Sequence, residues 1–171
     1  MVLRRPSLRD MGDFLEHVAA SRAAHRPWVE PPGNPDDFAA WVRRCRRPDY
    51  EGVLICVADS GHIAGAAHLG EICRGGFQNA QLGYYAFRTT SGRGHMTQGV
   101  RLILKHAFTT LALHRVEANI QPGNAQSIAL AERCGFRQEG FSPRYLKVSG
   151  RWRDHLRYAI TVEEWRRQKK A

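Results

Sequence analysis

Two glycines and an arginine stand directly before a long apolar helix pattern, in the segment Ser91-Gly92-Arg93-Gly94-His95-Met96-Thr97. The preceding residues, Gln81 to Phe87, are rich in aromatic side chains, as expected of a strand. Apolar residues then recur at helical spacing, at Met96, Val100, Ile103, Leu104, Ala107, Phe108 and Leu111. The first turn of a helix leaves N–H groups unpaired and attracts anions, and glycine lets a ligand approach the backbone. The segment therefore predicts a phosphate-binding loop, with a plain surface turn as the alternative.

The chain has 171 residues, 43% of them apolar and 25% charged, which is typical of one globular domain over residues 1–171. No apolar run approaches the length of about 20 residues that spans a membrane, and no signal-peptide pattern opens the sequence. We therefore expect a cytoplasmic protein without membrane contact. The four cysteines form no C-x-x-C pair and lie near no histidine at zinc-ligand spacing, so we expect no metal.

The net charge is +10, from 26 Lys and Arg against 16 Asp and Glu. Such a balance suggests an acidic partner, for example a phosphorylated cofactor, RNA or the ribosome surface. The arginines are spread along the whole chain, however, and no zinc-finger or RNP-type aromatic motif is present. The sequence therefore argues against nucleic-acid binding as the main function.

The order of the predicted elements indicates an α+β fold. Short turns join most of the predicted strands, so the sheet should be mostly antiparallel. The strand–helix–strand passage from Tyr84 to Ile120 predicts one parallel pair. We expect strands at residues 2–4, 53–58, 63–69, 81–87, 114–120, 136–140, 145–148 and 152–160, helices after Ser7, Asn34, Gly94, Asn124 and Thr161, and a loop over residues 71–80.

Six short segments, in this order, resemble the GNAT acetyltransferases and in particular the RimJ/RimL type of ribosomal-protein N-terminal acetyltransferase. They are His25-Arg26-Pro27-Trp28, Arg74 to Tyr84, Gly92-Arg93-Gly94-His95-Met96, Asn124-Ala125-Gln126-Ser127, Glu132-Arg133-Cys134-Gly135-Phe136 and Gly150-Arg151-Trp152-Arg153-Asp154-His155. The resemblance covers nearly the whole chain. It implies a GNAT-like mixed, mostly antiparallel sheet of six to seven strands, with a splayed parallel pair and helices on both faces.

The resemblance also implies acetyl-CoA as co-substrate, without a metal. The pyrophosphate would be held by Gly92, Arg93, Gly94, His95, Met96 and Thr97, in agreement with the loop chemistry above. Ala86 and Phe87 would offer backbone groups to the pantetheine and the thioester, and Asn124 would contact the pantetheine arm in the splay. Ser91 and Met96 differ from the residues that are common in the family loop, but binding through backbone amides needs neither side chain.

The residues that many GNAT enzymes use for catalysis are absent at the matching positions. Ala131 stands where a tyrosine often protonates the CoA thiolate, and Asn119 stands where a glutamate often serves as base. By the resemblance, Ser127 is the first candidate to steady the thiolate, and Tyr145 is the second. A hydroxyl satisfied by the helix backbone is the alternative for Ser127.

Glutamates and aromatic residues supply the remaining site candidates. Glu71 and Glu117 are candidate bases, although either could simply face solvent. Trp28 lies in a proline-stiffened loop and could be a pocket wall or a buried anchor, and Glu30 lies beside it. The expected acceptor-site residues are Trp28, Glu30, Tyr84, Glu117 and Asn119.

The absence of a strong base favours one kind of acceptor. An α-amine has a pKa of about 8 and a lysine one of about 10.4, a difference worth about 3.4 kcal/mol that a lysine acetylase must supply. We therefore expect an N-acetyltransferase acting on a peptide N-terminus, with a ribosomal protein or another peptide as its partner. The alternatives are acetylation of an amino acid, polyamine or aminoglycoside, a non-catalytic acyl-CoA-binding module, and a ribosome- or RNA-binding protein. Monomer and homodimer both stay open.

Overall fold

The computed structural model describes residues 1–90 and 92–168, so Ser91 and the last three residues lie outside the described part. Within these described residues, seven strands and five α-helices follow one another. They are β1 (Val2–Arg4), α1 (Met11–His25), α2 (Pro35–Arg44), β2 (Glu51–Cys56), β3 (Ile63–Cys73), β4 (Asn79–Ala86), α3 (His95–Thr109), β5 (Arg115–Ile120), α4 (Ala125–Arg133), β6 (Arg137–Val148), β7 (Arg151–Thr161) and α5 (Val162–Gln168).

The strands form one sheet in the order β1-β2-β3-β4-β5-β7-β6. Every neighbouring pair is antiparallel except β4 and β5, which are parallel. Their pairing joins only Asn79–Gln81 to Arg115–Glu117, after which both strands continue without pairing to each other. We call this gap the splay. The predicted fold, an α+β mixed sheet with a parallel splayed pair, is confirmed.

Helices cover the two faces of the sheet unequally. On the α3–α4 face, the core contains Val100, Ile103 and Leu104 of α3 together with Val116 of β5. On the α1–α2 face, Phe14 and other residues of α1 and α2 pack over β2, β3 and β4 only. Since side chains alternate along a strand, the residues of β5 and β7 that lie between core positions face the part of the sheet that α1 and α2 leave uncovered.

The strands on either side of the β3–β4 turn are longer than predicted. β3 continues through Glu71 to Cys73 and β4 begins at Asn79, so the predicted loop over residues 71–80 shrinks to residues 74–78. The reason is a bulge: Glu71 has a φ of 49° and the register shifts between Gly70 and Cys73. A bulge interrupts the alternation that identifies a strand, while the ladder continues beyond it.

The two short strands predicted at residues 136–140 and 145–148 are one strand, β6. Its register against β7 shifts between Ser142 and Leu146, and this irregularity contains Pro143. A proline cannot donate to the ladder and breaks the strand pattern in the sequence. The long β6–β7 hairpin follows from this continuity.

Two helix starts have the predicted caps. The Asn34 side chain accepts a hydrogen bond from the backbone N–H of Asp37, and Ser7 and Asp10 form a capping box on the 3-10 turn Leu8–Asp10, which leads directly into α1. In the part of the chain that the structure describes, no helix is both long enough and apolar enough to cross a membrane.

Candidate active site

The loop before α3 has the geometry of an anion site. Gly94 caps the helix in a left-handed conformation, with a φ of 75°, and Gly92 has a φ of 78°. A Cβ on either glycine would meet no atom within 4 Å among the described residues, so the space above the loop is open. The described first turn of α3 carries no acidic side chain, and its N–H groups have no helical partner. Residues Gly92 to Thr97 therefore fit a pyrophosphate group.

Helix α4 begins at the same end of the strands as helix α3. α3 follows the end of β4 and α4 follows the end of β5, and the ends of parallel neighbours lie at one sheet edge. Asn124 caps α4, because its Oδ1 accepts from the N–H of Ser127 at 3.2 Å. The splay is thus bordered by two helix N-termini, which is where the sequence predicted the pantetheine arm.

Ser127 contacts a tyrosine from β4. The Tyr84 Oη lies 2.9 Å from Ser127 Oγ and 3.0 Å from the Ser127 carbonyl oxygen. Burial raises the pKa of Tyr84 to about 12. Tyr84 packs against the core of the α3–α4 face. Its predicted place in the acceptor site is therefore corrected: the side chain lies against α4.

Of the two residues predicted to offer backbone groups to the cofactor at the end of β4, Ala86 and Phe87, only Ala86 can do so. The Phe87 N–H donates to the Ala64 carbonyl at 2.9 Å, and the Phe87 carbonyl accepts from the Thr90 N–H at 3.1 Å. Its side chain is fully buried in the core of the α1–α2 face. Because hydrogen bonds alternate along an antiparallel pair, the backbone groups of Ala86 turn away from β3, toward the splay. We therefore keep Ala86 and withdraw Phe87 as a cofactor contact.

His25 is a site residue that the sequence reasoning missed. Its Nε2 lies 2.8 Å from the Ala86 carbonyl, which can only accept, so Nε2 carries the proton and donates. The ring is buried, and burial lowers the pKa of His25, so that the ring is neutral. The signal was the segment His25-Arg26-Pro27-Trp28, which resembled the family but gave the histidine no partner.

Trp28 lies at the turn between β5 and α4. A Cβ on Gly123 would come within 3.1 Å of the Trp28 ring, and Gln121 Nε2 donates to the Trp28 carbonyl at 3.3 Å. Glu30 is exposed and lines a cavity of about 710 Å³ between α1, α2 and the sheet, together with His25. The structure thus brings the α1–α2 connection to the splay.

Glu117 is not a free carboxylate. It is buried, and it accepts hydrogen bonds from Arg115 at 2.9 Å, Arg157 at 3.3 Å and the Asn79 amide at 3.3 Å. Two guanidinium partners hold both of its oxygens, so Glu117 is withdrawn as a base. Asn119 is the next residue on the same face of β5, and its Oδ1 is buried without a partner in the described chain.

Tyr145 lies on the other side of the sheet from Ser127. The Arg157 guanidinium lies 4.9 Å from the centre of the Tyr145 ring, and His155 contacts the ring edge. Arg157 reaches Glu117 on the part of the α1–α2 face that the helices leave uncovered, whereas Ser127 contacts Tyr84 on the α3–α4 face. Ser127 and Tyr145, the two candidate acids, therefore lie on opposite faces of the sheet.

Glu71 is not brought to the splay. Its neighbour Gly70 pairs with Gln81, at the end of β4 opposite to Ala86. The Glu71 side chain is two-thirds exposed and its carboxylate lies 3.6 Å from Arg44. We therefore withdraw Glu71 as a base. Among residues 1–90 and 92–168, no group of three or more His, Cys, Asp or Glu side chains could hold a metal ion.

Comparison with known proteins identifies the family. The model of the acetyltransferase (GNAT) domain matches residues 1–137. The chain is 35% identical over 174 residues to the [ribosomal protein uS5]-alanine N-acetyltransferase of Escherichia coli, covering 96% of this chain and 89% of that protein. It is 34% identical over 148 residues to the probable N-acetyltransferase YjcK of Bacillus subtilis, covering 86% and 81%.

The fold also matches a solved structure that contains a bound form of CoA. Mycobacterium smegmatis RimJ in complex with CoA-disulfide superposes with a TM-score of 0.86 at 30% identity, over 95% of this chain and 82% of that one. The chain belongs to the GNAT acetyltransferase family, and it is an acyltransferase that uses acetyl-CoA.

Proposed function

We propose that this enzyme acetylates the N-terminal α-amine of a protein or peptide, by direct attack of the amine on acetyl-CoA in a ternary complex. The 35% identical relative from Escherichia coli, which acts on an alanine of ribosomal protein uS5, supports a ribosomal protein as the acceptor. The four cysteines are free thiols, as is typical of a reducing compartment, and this supports a cytoplasmic location.

The state of Glu117 is the observation that carries the proposal. Its carboxylate is held by Arg115 and Arg157, and the neighbouring site position is the uncharged Asn119. A site in which the carboxylate next to Asn119 is held by two arginines is suited to an acceptor that is already partly unprotonated. An α-amine with a pKa of about 8 meets this condition near pH 7, and a lysine with a pKa of about 10.4 does not.

The side chains around the splay then take separate roles. The bound acetyl-CoA supplies an activated thioester. Residues Gly92 to Thr97 hold the pyrophosphate, the backbone of Ala86 aligns the pantetheine, and Asn124 fixes the start of α4. The Ser127 hydroxyl donates a hydrogen bond to the departing sulfur, which stabilises charge absent from the ground state.

The acceptor approaches from the α1–α2 face. This is the face on which Glu30 lines the cavity beside His25 and on which Asn119 has an unpartnered, buried Oδ1. Trp28, packed on Gly123, would form the wall between acceptor and cofactor. Tyr145 borders the same face through Arg157, and we propose a contact with the acceptor for it rather than with the leaving group.

Release of the CoA thiol tests the proposal. The panel is an alanine-initiated peptide with a free N-terminus, the same peptide blocked at its N-terminus and carrying one lysine, spermidine, and methionine. We expect the free N-terminus to react fastest and the blocked peptide to be at least tenfold slower. A preference for spermidine or methionine would favour small-amine acetylation. Acetyl-CoA binding without thiol release from any amine would favour a binding module, and salt-dependent RNA binding without CoA would favour an RNA-binding protein.

A further inference from the structure

The contact between Tyr84 and Ser127 crosses the splay. Tyr84 stands three residues beyond Gln81, the last residue of β4 that pairs with β5, and Ser127 lies in the first turn of α4. The Tyr84 Oη is within hydrogen-bond distance of two oxygens of the same residue, Oγ at 2.9 Å and the carbonyl at 3.0 Å. The phenol is thus held at the start of α4 by two contacts.

The Tyr84 hydroxyl proton can point to either of two Ser127 oxygens. The Ser127 carbonyl can only accept, so when the Tyr84 O–H points to it, the Ser127 hydroxyl is free to donate to Tyr84 Oη. When the Tyr84 O–H points to Ser127 Oγ instead, the Ser127 proton must point out of the pair. In this second arrangement Ser127 is a donor for a third group, and its oxygen is polarised by the phenol.

Tyr84 acts in this pair as a donor and not as an acid. Burial raises its pKa to about 12, so the phenol keeps its proton at neutral pH. A buried phenolate would cost more than a thiolate that is solvated or hydrogen-bonded. A hydrogen bond from a neutral phenol, in contrast, strengthens the neighbouring hydroxyl without moving a charge into the core.

We propose that Tyr84 is a positioning residue for the leaving group: it orients the Ser127 hydroxyl toward the sulfur of CoA and strengthens that donor as negative charge develops. In many GNAT enzymes a tyrosine at the position of Ala131 protonates the CoA thiolate. Here Tyr84, a tyrosine on β4, would perform part of that role by assisting Ser127. The inference rests on the proposed function, because it takes Ser127 as the donor to the sulfur.

The acetyl transfer balances in bonds and protons without a change in the protonation of Ser127 or Tyr84. The C–N bond of the amide forms, the C–S bond breaks, and the electron pair of that bond stays on sulfur. The proton that the amine loses reaches the sulfur through solvent. Ser127 and Tyr84 each keep their own proton and contribute hydrogen bonds only.

The ionisation of bound CoA tests the inference without an acceptor. The thiol of CoA is titrated in the complex by the ultraviolet absorbance of the thiolate, and desulfo-CoA, which lacks the thiol, subtracts the tyrosines of the protein. The variants are Tyr84→Phe, Ser127→Ala and the double variant. Tyr158→Phe is the matched control, because its hydroxyl contacts Glu132 and Gln138 instead.

We expect about tenfold less thiolate at a given pH in Tyr84→Phe and in Ser127→Ala than in the wild type, since Ser127→Ala loses the donor to the charged sulfur and Tyr84→Phe loses the group that orients this donor. The double variant should lose no more than Ser127→Ala alone, because the tyrosine acts through the serine. Tyr158→Phe should titrate like the wild type, and all variants should bind desulfo-CoA equally.

Two results separate the inference from the proposed function. If Ser127→Ala lowers the thiolate fraction and Tyr84→Phe titrates like the wild type, the inference is wrong and the role of Ser127 survives. If Ser127→Ala itself titrates like the wild type, the leaving-group role of Ser127 is wrong and the inference falls with it. Additive losses in the double variant would mean that Tyr84 does not act through Ser127.

Discussion

His25 and Ala86 connect the end of α1 to the edge of β4. The Nε2–H of His25 donates to the Ala86 carbonyl at 2.8 Å, although 61 positions of sequence separate the two residues. The same carbonyl borders the splay, and the chain continues from His25 into the loop that carries Trp28. One hydrogen bond therefore joins the acceptor side of the site to the strand that aligns the cofactor.

Replacing His25 by phenylalanine should leave the partly buried Ala86 carbonyl without its donor. We expect the free energy of unfolding to fall by about 0.5–1.5 kcal/mol, the net contribution of a typical hydrogen bond. His25→Gln is the control, because its amide nitrogen can still donate, and it should recover most of the loss. Chemical denaturation measures both. Equal stability of the phenylalanine variant and the wild type would contradict the role of this bond.

Stability should decrease as the pH falls below about 6.5, and His68 should be the main cause. The His68 ring is stacked on Tyr50 and fills the space where a Gly83 side chain would lie. Burial lowers the pKa of His68 to about 4. The unfolded chain takes up a proton below pH 6.5 and the folded chain does so only near pH 4. The free energy of unfolding should therefore fall by about 3 kcal/mol across this window.

Denaturation at several pH values between 4 and 7 measures this slope. The pKa values of His25 and His155 are also lowered by burial, so both residues add to the effect in the same direction. His68→Gln cannot take up the proton and should flatten the curve. If the stability of His68→Gln changed with pH as steeply as that of the wild type, groups other than His68 would be responsible for the acid sensitivity.

Local signals in the sequence were sufficient for the loop before α3, the starts of several helices and most of the strands. The two glycines before an apolar stripe predicted a loop and a helix start, and Asn34 predicted another helix start, because such preferences depend on near neighbours. The pairs His25–Ala86, Tyr84–Ser127 and Glu117–Arg157 could not be predicted in this way. The first two depend on how a helix docks on a strand that is distant in sequence, and the third depends on strand register, where a shift of one residue would turn the side chain to the other face.

Substitution of Gly94 by aspartate should weaken acetyl-CoA binding. The space beyond its Cα is open, so the carboxylate would enter the region where the phosphates bind, and a side chain at a φ of 75° is strained. We expect at least a tenfold loss of affinity, about 1.4 kcal/mol, by calorimetry. Gly76→Asp adds the same charge at an exposed turn and should bind normally. Unchanged affinity in a folded Gly94→Asp variant would contradict the cofactor site.

Ser127→Ala and Tyr145→Phe should affect different kinetic constants. Ser127→Ala removes a donor to the leaving group, so turnover should fall by about ten- to a thousandfold while acetyl-CoA affinity stays within about threefold. Tyr145 lies on the acceptor side, beside Arg157, so its loss should raise the Michaelis constant of the acceptor instead. Steady-state kinetics on a peptide acceptor separates the two. A Ser127→Ala variant with full turnover, where chemistry limits the rate, would contradict the assignment.

The central claim concerns which amine receives the acetyl group. A single peptide with a free N-terminal alanine and one internal lysine lets the two amines compete under identical conditions, and mass spectrometry of its fragments locates the acetyl group. Because Glu117 is held by two arginines and cannot readily take the proton of a lysine, the lysine carries a handicap of about 3.4 kcal/mol relative to the α-amine. We predict acetylation of the N-terminal amine with no detectable lysine product before the N-terminus is consumed. Acetylation of the lysine at a comparable rate would contradict the proposed function.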